Sequence, residues 1–337
     1  MQQAKYSIIL PVKNGGQHVK ECVNSILNQT YTGFTLHVLD NCSTDGTGDW
    51  IQSLTDERII YLPSATPLTI EENWGRIKDI GKNEFITLIG HDDILLSHYL
   101  ETMEQLIADN PAASLYQTHF NYIDSNGIVI KPCKPMPEKE DGPAFLKNFL
   151  TNTVDIMGTG FMMRSNDYDA VGGIPVFYPN LLFADLELWI RLTAIQYKAT
   201  ATTTAFCYRL HQSTTKTTPD IKLQLAFEQC IFFLEKLKAK GDVYDKVILQ
   251  EGVAFINHQC MSLSHRLLRT PLQNRNGLTV AAFVKKCKAY ADRLVPGNEY
   301  DPGKEFKIKL AAIVDSNTVF RKLFLGIKKI YAKPLYS

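Results

Sequence analysis

Two aspartates leave an apolar run together in Phe85-Ile86-Thr87-Leu88-Ile89-Gly90-His91-Asp92-Asp93. Desolvating adjacent carboxylates is costly, so a divalent cation is the economical partner for them. Hard oxygen ligands suit Mg2+ or Mn2+, with a diphosphate completing the shell. The plainer alternative is a helix cap made by one acid while the other stays in water. A further carboxylate, Asp40, closes the run Val38-Leu39 and opens the hydroxyl-rich stretch Asn41–Thr47. It either accepts a hydrogen bond from a heterocycle N–H or organises its own loop. Asp45 and Thr47 read as caps of the helix that follows, with Ser43 as another candidate. Earlier still, Ile9-Leu10-Pro11-Val12-Lys13-Asn14 is a strand end carrying a proline and a short amide suited to a base or ribose.

These residues need a scaffold that brings three loops together. From Tyr6 to about Ile123, short β-branched runs alternate with segments of helical period, the pattern of a parallel sheet covered by helices. Strands are expected at Tyr6–Val12, Thr35–Leu39, Ile59–Leu62 and Glu84–Ile89. Val19, Cys22, Val23, Ile26 and Leu27 mark one face of the first helix. Ligands bind beyond the carboxyl ends of such strands, so Lys13–Gly16, Asn41–Gly46 and Gly90–Asp93 should share one crevice. Asp124-Ser125-Asn126-Gly127 reads as a tight turn, Pro132–Pro143 as a loop, and Gly160–Arg164 and Ala199–Leu210 as further strands. After the polar Ser213–Pro219 tract, a candidate lid, helical periodicity takes over. The expected fold is therefore α/β, with a doubly wound, mostly parallel sheet over residues 1–219 and a helical region over 220–337.

Composition narrows the function. With 337 residues, 45% of them hydrophobic and 21% charged, and a net charge of +1, the chain is globular and carries no bulk signature of a nucleic-acid partner. The seven cysteines are scattered and never in a CxxC pair, which points to a reducing cytoplasm rather than a disulfide framework or thiolate zinc site. No signal-peptide core and no spanning apolar run is present, so the expectation is a protein neither exported nor membrane-spanning. Arg321, Lys322, Lys328, Lys329 and Lys333 alternate with Phe320, Leu323, Phe324, Leu325, Ile327 and Ile330. That segment is either a packed helix with a solvated basic face or a peripheral contact with an anionic membrane.

Taken together and in order, the three loops resemble those of family-two inverting glycosyltransferases with the glycosyltransferase A fold, a resemblance running from about Tyr6 to Leu210. Gly158–Arg164, Val171-Gly172-Gly173 and Asp185-Leu186-Glu187-Leu188-Trp189 extend it. The resemblance implies that Pro11, Val12, Asn14, Asp40, Ser43 and Asp92 hold the nucleotide-sugar donor, a UDP-sugar by analogy. His91-Asp92-Asp93 matches an acidic metal-binding triplet, with Asp93 the expected Mn2+ or Mg2+ ligand. His91 stands in place of the usual first acid. Asp185 matches the second acid of a Glu-Asp pair whose first member is Ala184 here, leaving Asp185 as the expected catalytic base or, more plainly, a helix N-cap. Tyr208-Arg209-Leu210-His211 resembles an arginine-x-histidine element, with Arg209 on phosphate and His211 on the metal.

The activity implied is sugar transfer with inversion onto an acceptor hydroxyl, the acceptor being a surface glycan or its lipid-linked precursor. A catalytically degenerate nucleotide-sugar-binding protein is the competing reading, motivated by His91 and Ala184. A nucleotidyltransferase would need a glycine-rich phosphate loop with a basic residue after the first strand, and Lys13-Asn14-Gly15-Gly16 is too short for one.

Overall fold

The computed structural model describes residues 4–210 and 218–331. The chain forms two compact units. One comprises Met1–Phe145, Thr153–Phe177 and Ala184–His211; the other comprises Leu146–Asn152, Tyr178–Phe183 and Gln212–Ser337. This differs from a single cut after residue 219, because the helical unit begins at Gln212 and also takes two short earlier segments of the expected catalytic half.

The first unit is built on strands β1 (Tyr6–Val12), β2 (Phe34–Asp40), β3 (Ile59–Tyr61), β4 (Phe85–Leu88), β5 (Ile94–Leu95), β6 (Leu115–Ile123), β7 (Val129–Pro132), β8 (Lys139–Asp141), β9 (Phe161–Arg164) and β10 (Tyr197–Arg209). They make one sheet in the order β3-β2-β1-β4-β9-β6-β10-β5, with β7 beside β6 and β8 beside β10. The β3-β2-β1-β4 half is parallel. Beyond it the sheet is mixed, since β9 runs antiparallel to both β4 and β6. Every residue of β1 is buried, as expected of a strand covered on both faces. Its proline is tolerated for a positional reason. Pairing with β4 ends at Ile9 and Leu88, so Pro11, with no N–H to give, sits past the end of that ladder.

Helices α1 (Gly16–Leu27), α2 (Thr47–Ser53), α3 (Ile70–Gly75), α4 (Tyr99–Asp109), α5 (Gly142–Leu150), α6 (Ser165–Ala170) and α7 (Ala184–Thr193) alternate with these strands. α1 buries Val19, Cys22, Val23 and Ile26, the stripe its spacing dictates. The Asp124–Gly127 turn forms as expected. Gly127 N–H donates to the Asp124 carbonyl at 3.1 Å, and Gly127 takes φ 81, where a side chain would be strained. The 132–143 stretch is less irregular than its prolines suggest, because β8 pairs with β10. Glu140 of β8 and Lys198 of β10 form an ion pair in which both side chains are 1% exposed.

The second unit contains α8 (Asp220–Lys238), α9 (Asp242–Arg269), α10 (Val280–Leu294), α11 (Phe306–Ser316) and α12 (Thr318–Tyr331). Phe227 of α8 is a hub of its core, with the rings of Phe255, Phe283 and Tyr290 centred 5.8, 6.4 and 5.7 Å away. Arg275 is buried and paired at 2.6 Å with Asp315 of α11. Among the described residues, no helix is long and apolar enough to cross a membrane.

Candidate active site

The ends of β1 and β2 are locked to each other by their own loop side chains. Asn14 adopts φ 52, and its amide oxygen accepts the Thr44 N–H at 2.8 Å while its backbone N–H donates to the Ser43 hydroxyl at 2.8 Å. Asp45 accepts from Gly16 N–H at 2.9 Å and from Thr47 N–H at 3.1 Å, so one carboxylate caps the starts of both α1 and α2. Burial is the largest single influence and raises its pKa, but the hydrogen bonds together outweigh it and hold the carboxyl below its usual value. Asp40 is 3% exposed. It accepts the Ser43 hydroxyl at 2.6 Å, the Ser43 N–H at 3.1 Å and the Tyr61 hydroxyl at 2.7 Å. The loop-organising alternative for Asp40 is thus visible directly. Pro11 and Val12 are buried strand residues, and the Val12 carbonyl is taken by Asn41 N–H at 2.9 Å. Asn14, Ser43 and Asp92 are the more accessible members of the set expected to hold the nucleotide.

The acidic pair is split by its surroundings. Asp93 is 2% exposed, and it accepts the Thr159 hydroxyl at 2.7 Å and the Arg209 N–H at 3.0 Å. Burial, followed by the neighbouring Asp92 charge, raises its pKa well above the ordinary carboxylate value. Instead of displaying its carboxylate, Asp93 fastens the β4–β5 loop to the end of β10 and to Thr159. His91 and Asp92 are the half-buried members of the triplet.

The expectation that Arg209 grips a phosphate is corrected by the structure. Its side chain is 0% exposed. Nε donates to the Asp92 carbonyl at 2.7 Å, and Nη1 donates to the Asp124 and Ser125 carbonyls at 3.1 and 3.0 Å. Nη2 pairs with the Glu21 carboxylate at 2.7 Å. The fork is therefore spent on joining α1, the 90–93 loop and the β6–β7 turn. His211 lies outside the described residues, as does most of the Ser213–Pro219 tract.

Asp185 lies in the first turn of α7, inside the helix and not at its cap position, and is half-buried. Its Oδ1 accepts the Leu186 N–H at 2.9 Å. Burial is the largest influence on it and pushes its pKa up to about 6, against the lowering effect of backbone hydrogen bonds. A Cβ on Gly158 would stand 3.5 Å from Asp185 Oδ2. Asp185 therefore flanks the same short loop whose next residue, Thr159, holds Asp93. Gly160 completes that loop at φ 78, and the Phe206 ring leaves no room for a side chain there. Tyr208 reports the same convergence. Its hydroxyl is held in the protonated form first by burial and then by the charges of Asp93, Asp92 and Asp185.

Tyr61, Thr159 and Tyr208 are not legible as site residues in the sequence, because each acts through a partner distant along the chain. Among the described residues, no group of three or more His, Cys, Asp or Glu side chains is placed to hold a metal. The donor set nevertheless fits Mg2+ or Mn2+ of the kind bound by one or two carboxylates and completed by substrate phosphates. Asp93 and Asp92 crowd each other, and the guanidinium beside them has its donors committed elsewhere.

Comparison with known proteins gives the family and the fold. The profile of Glycosyl transferase family 2 matches residues 7–172. The chain is 31% identical over 130 residues to "Glycosyltransferase GlyG" of Streptococcus pneumoniae, covering 36% of this chain and 41% of that protein. It is 27% identical over 129 residues to "UDP-Glc:alpha-D-GlcNAc-diphosphoundecaprenol beta-1,3-glucosyltransferase WfgD" of Escherichia coli, covering 38% and 51%. The chain thus spans about half or less of these relatives' lengths. The S. aureus TarS 1-349 structure in complex with UDP-GlcNAc superposes with a TM-score of 0.64 at 15% identity, covering 96% of this chain and 92% of that one. At that identity the likeness concerns the fold. The chain carries a glycosyl transferase family 2 domain, folded as the glycosyltransferase A type.

Proposed function

We propose that this protein is an inverting glycosyltransferase that moves a sugar from a nucleoside-diphosphate sugar, with UDP as the nucleotide, to an acceptor hydroxyl of a surface glycan or its lipid-linked precursor. The observation that carries the reading is the half-buried Asp185, with its pKa at about 6, beside the Gly158–Thr159 loop that also holds Asp93. A carboxylate of that basicity is ionised at neutral pH yet basic enough to take a proton from an attacking hydroxyl. The activity that WfgD is named for, with a UDP-sugar donor and a diphosphoundecaprenol-linked acceptor, supports the donor and acceptor classes. The cysteines, all free, fit a reducing cytoplasmic setting, and the chain is taken to work peripherally at a membrane face.

In this mechanism Asn14 and Ser43 border the nucleoside, while Asp40 and Tyr61 keep Ser43 in place. Asp92, with His91 beside it, is the member of the triplet turned to the donor diphosphate and its cation, and Asp93 holds the loop. A bound Mg2+ or Mn2+ would supply charge stabilisation to the departing diphosphate. Asp185 removes the acceptor proton as the hydroxyl attacks the anomeric carbon from the side opposite the leaving group. The division between the two aspartates has a direct test. Asp92→Asn should abolish the Mn2+ dependence of UDP binding, whereas the near-isosteric Asp93→Asn should keep more of it, and calorimetry on both variants would read the difference. Equal loss in the two would refute the division.

The reaction itself is tested by incubating the protein with UDP-sugars and a GlcNAc-diphospholipid acceptor and reading the product's anomeric configuration by NMR. An inverted linkage is the expected result. A retained one would remove the single-displacement mechanism and with it the role given to Asp185.

A further inference from the structure

The C-terminal helices leave an apolar surface uncovered. On α11, Phe306, Leu310 and Ile313 are 77%, 49% and 45% exposed. Their spacing of four and three residues places them on one face, opposite the buried Ile308 and Ala311. On α12, Val319, Phe320, Leu323 and Ile327 are 64%, 49%, 58% and 57% exposed and again share one face. Seven of the twenty large hydrophobic side chains exposed among the described residues thus fall within Phe306–Ile327.

Charge accompanies this surface. Residues 304–337 hold eight Lys or Arg against two acids, whereas the whole chain is only +1, so the remainder is net acidic. One of the eight, Arg321, is 6% exposed and therefore contributes little to the surface, and Asp315 is already paired with Arg275. Lys304, Lys307, Lys309 and Lys322 are exposed and carry the outward charge of the described part of the segment.

We propose that α11 and α12 form a docking surface for an anionic lipid bilayer, with the apolar rows entering the headgroup boundary and the lysines meeting lipid phosphates. This deepens the peripheral membrane placement proposed above and is independent of sugar transfer. α12, at 14 residues, is about 21 Å long, short of the roughly 30 Å needed to span. It therefore lies on a bilayer without crossing it. A second copy of the chain on the same face would bring like-charged lysine rows together, which disfavours that occupant.

The test is cosedimentation of the full chain with vesicles of phosphatidylcholine alone and with vesicles that also contain phosphatidylglycerol. Binding is expected only to the anionic vesicles, to weaken with added salt, and to fall about tenfold or more in Phe320→Ser/Leu323→Ser. Both residues are exposed, so the thermal midpoint of that variant should be unchanged. Lys322→Glu should weaken binding further. Absence of sedimentation with anionic vesicles would overturn the proposal, as would equal binding to both vesicle types. So would a lipid-free dimer, seen by light scattering, that Phe320→Ser/Leu323→Ser abolishes. UDP titration of the same samples keeps the two readings apart: retained nucleotide binding with no vesicle binding sinks the docking surface alone.

Discussion

Asp185→Asn is expected to lower turnover by about 10²–10⁴-fold while leaving nucleotide affinity within a few-fold, because the change removes a proton acceptor and not a donor contact. The new amide oxygen can still accept from Leu186 N–H, so helix α7 should start unchanged. The same substitution should stabilise the fold. With its folded pKa at about 6 and an ordinary value of 3.8, the carboxylate is harder to ionise in the native state than in the unfolded one. Stability is fully present below about pH 4, is lost as pH rises through 6, and stays at the lower level above that. The uncharged amide escapes this loss, a gain on the order of 2 kcal/mol at pH 8 after allowance for partial exposure. Urea unfolding of both proteins at pH 4 and pH 8 would show the gap opening only at the higher pH. The wild-type rate should climb with pH through about 6 and then level, and the residual rate of the Asp185→Asn variant should lack that limb. An active variant of unchanged stability would remove Asp185 from both roles.

The second large effect is expected at Arg209. Arg209→Met removes four side-chain hydrogen bonds and leaves the Asp92, Asp124 and Ser125 carbonyls and the Glu21 carboxylate without that partner. A cost of about 3–5 kcal/mol in the absence of any ligand follows from breaking such a buried charged network. Arg209→Lys should recover little of it, since a point-charge ammonium cannot reach across the positions that the planar fork joins. Urea unfolding without nucleotide checks this. Unchanged stability with lost nucleotide affinity would restore Arg209 to a phosphate-binding role.

These two residues show what a sequence does and does not display. The burial of Asp185 is legible, because a helix start in an apolar context already suggests it, while its role as base rests on the family resemblance. The βα units are legible for a similar reason, as α1 buries the very stripe its spacing marks out. The internal bonds of Arg209 and Asp93 are not legible in the sequence, because Arg209 reaches back 117 and 116 positions to Asp92 and Asp93. A charged side chain spent inside the protein has the same sequence as one offered to a ligand. β5, with only two residues, is too short to show a period, and β9 offers nothing in sequence to announce that it inserts antiparallel between β4 and β6. The membership of Leu146–Asn152 and Tyr178–Phe183 in the helical unit is likewise a matter of tertiary contact.

In the proposed function the loops after β1, β2 and β4 form a donor site for a nucleotide sugar and a divalent cation. Titration calorimetry of the full chain with UDP, UDP-sugars and other nucleoside diphosphates, with and without Mn2+, tests it most directly. Saturable binding of UDP and one UDP-sugar, weakened when Mn2+ is withheld, is expected; absence of binding by every nucleotide, with or without the metal, would remove the donor site.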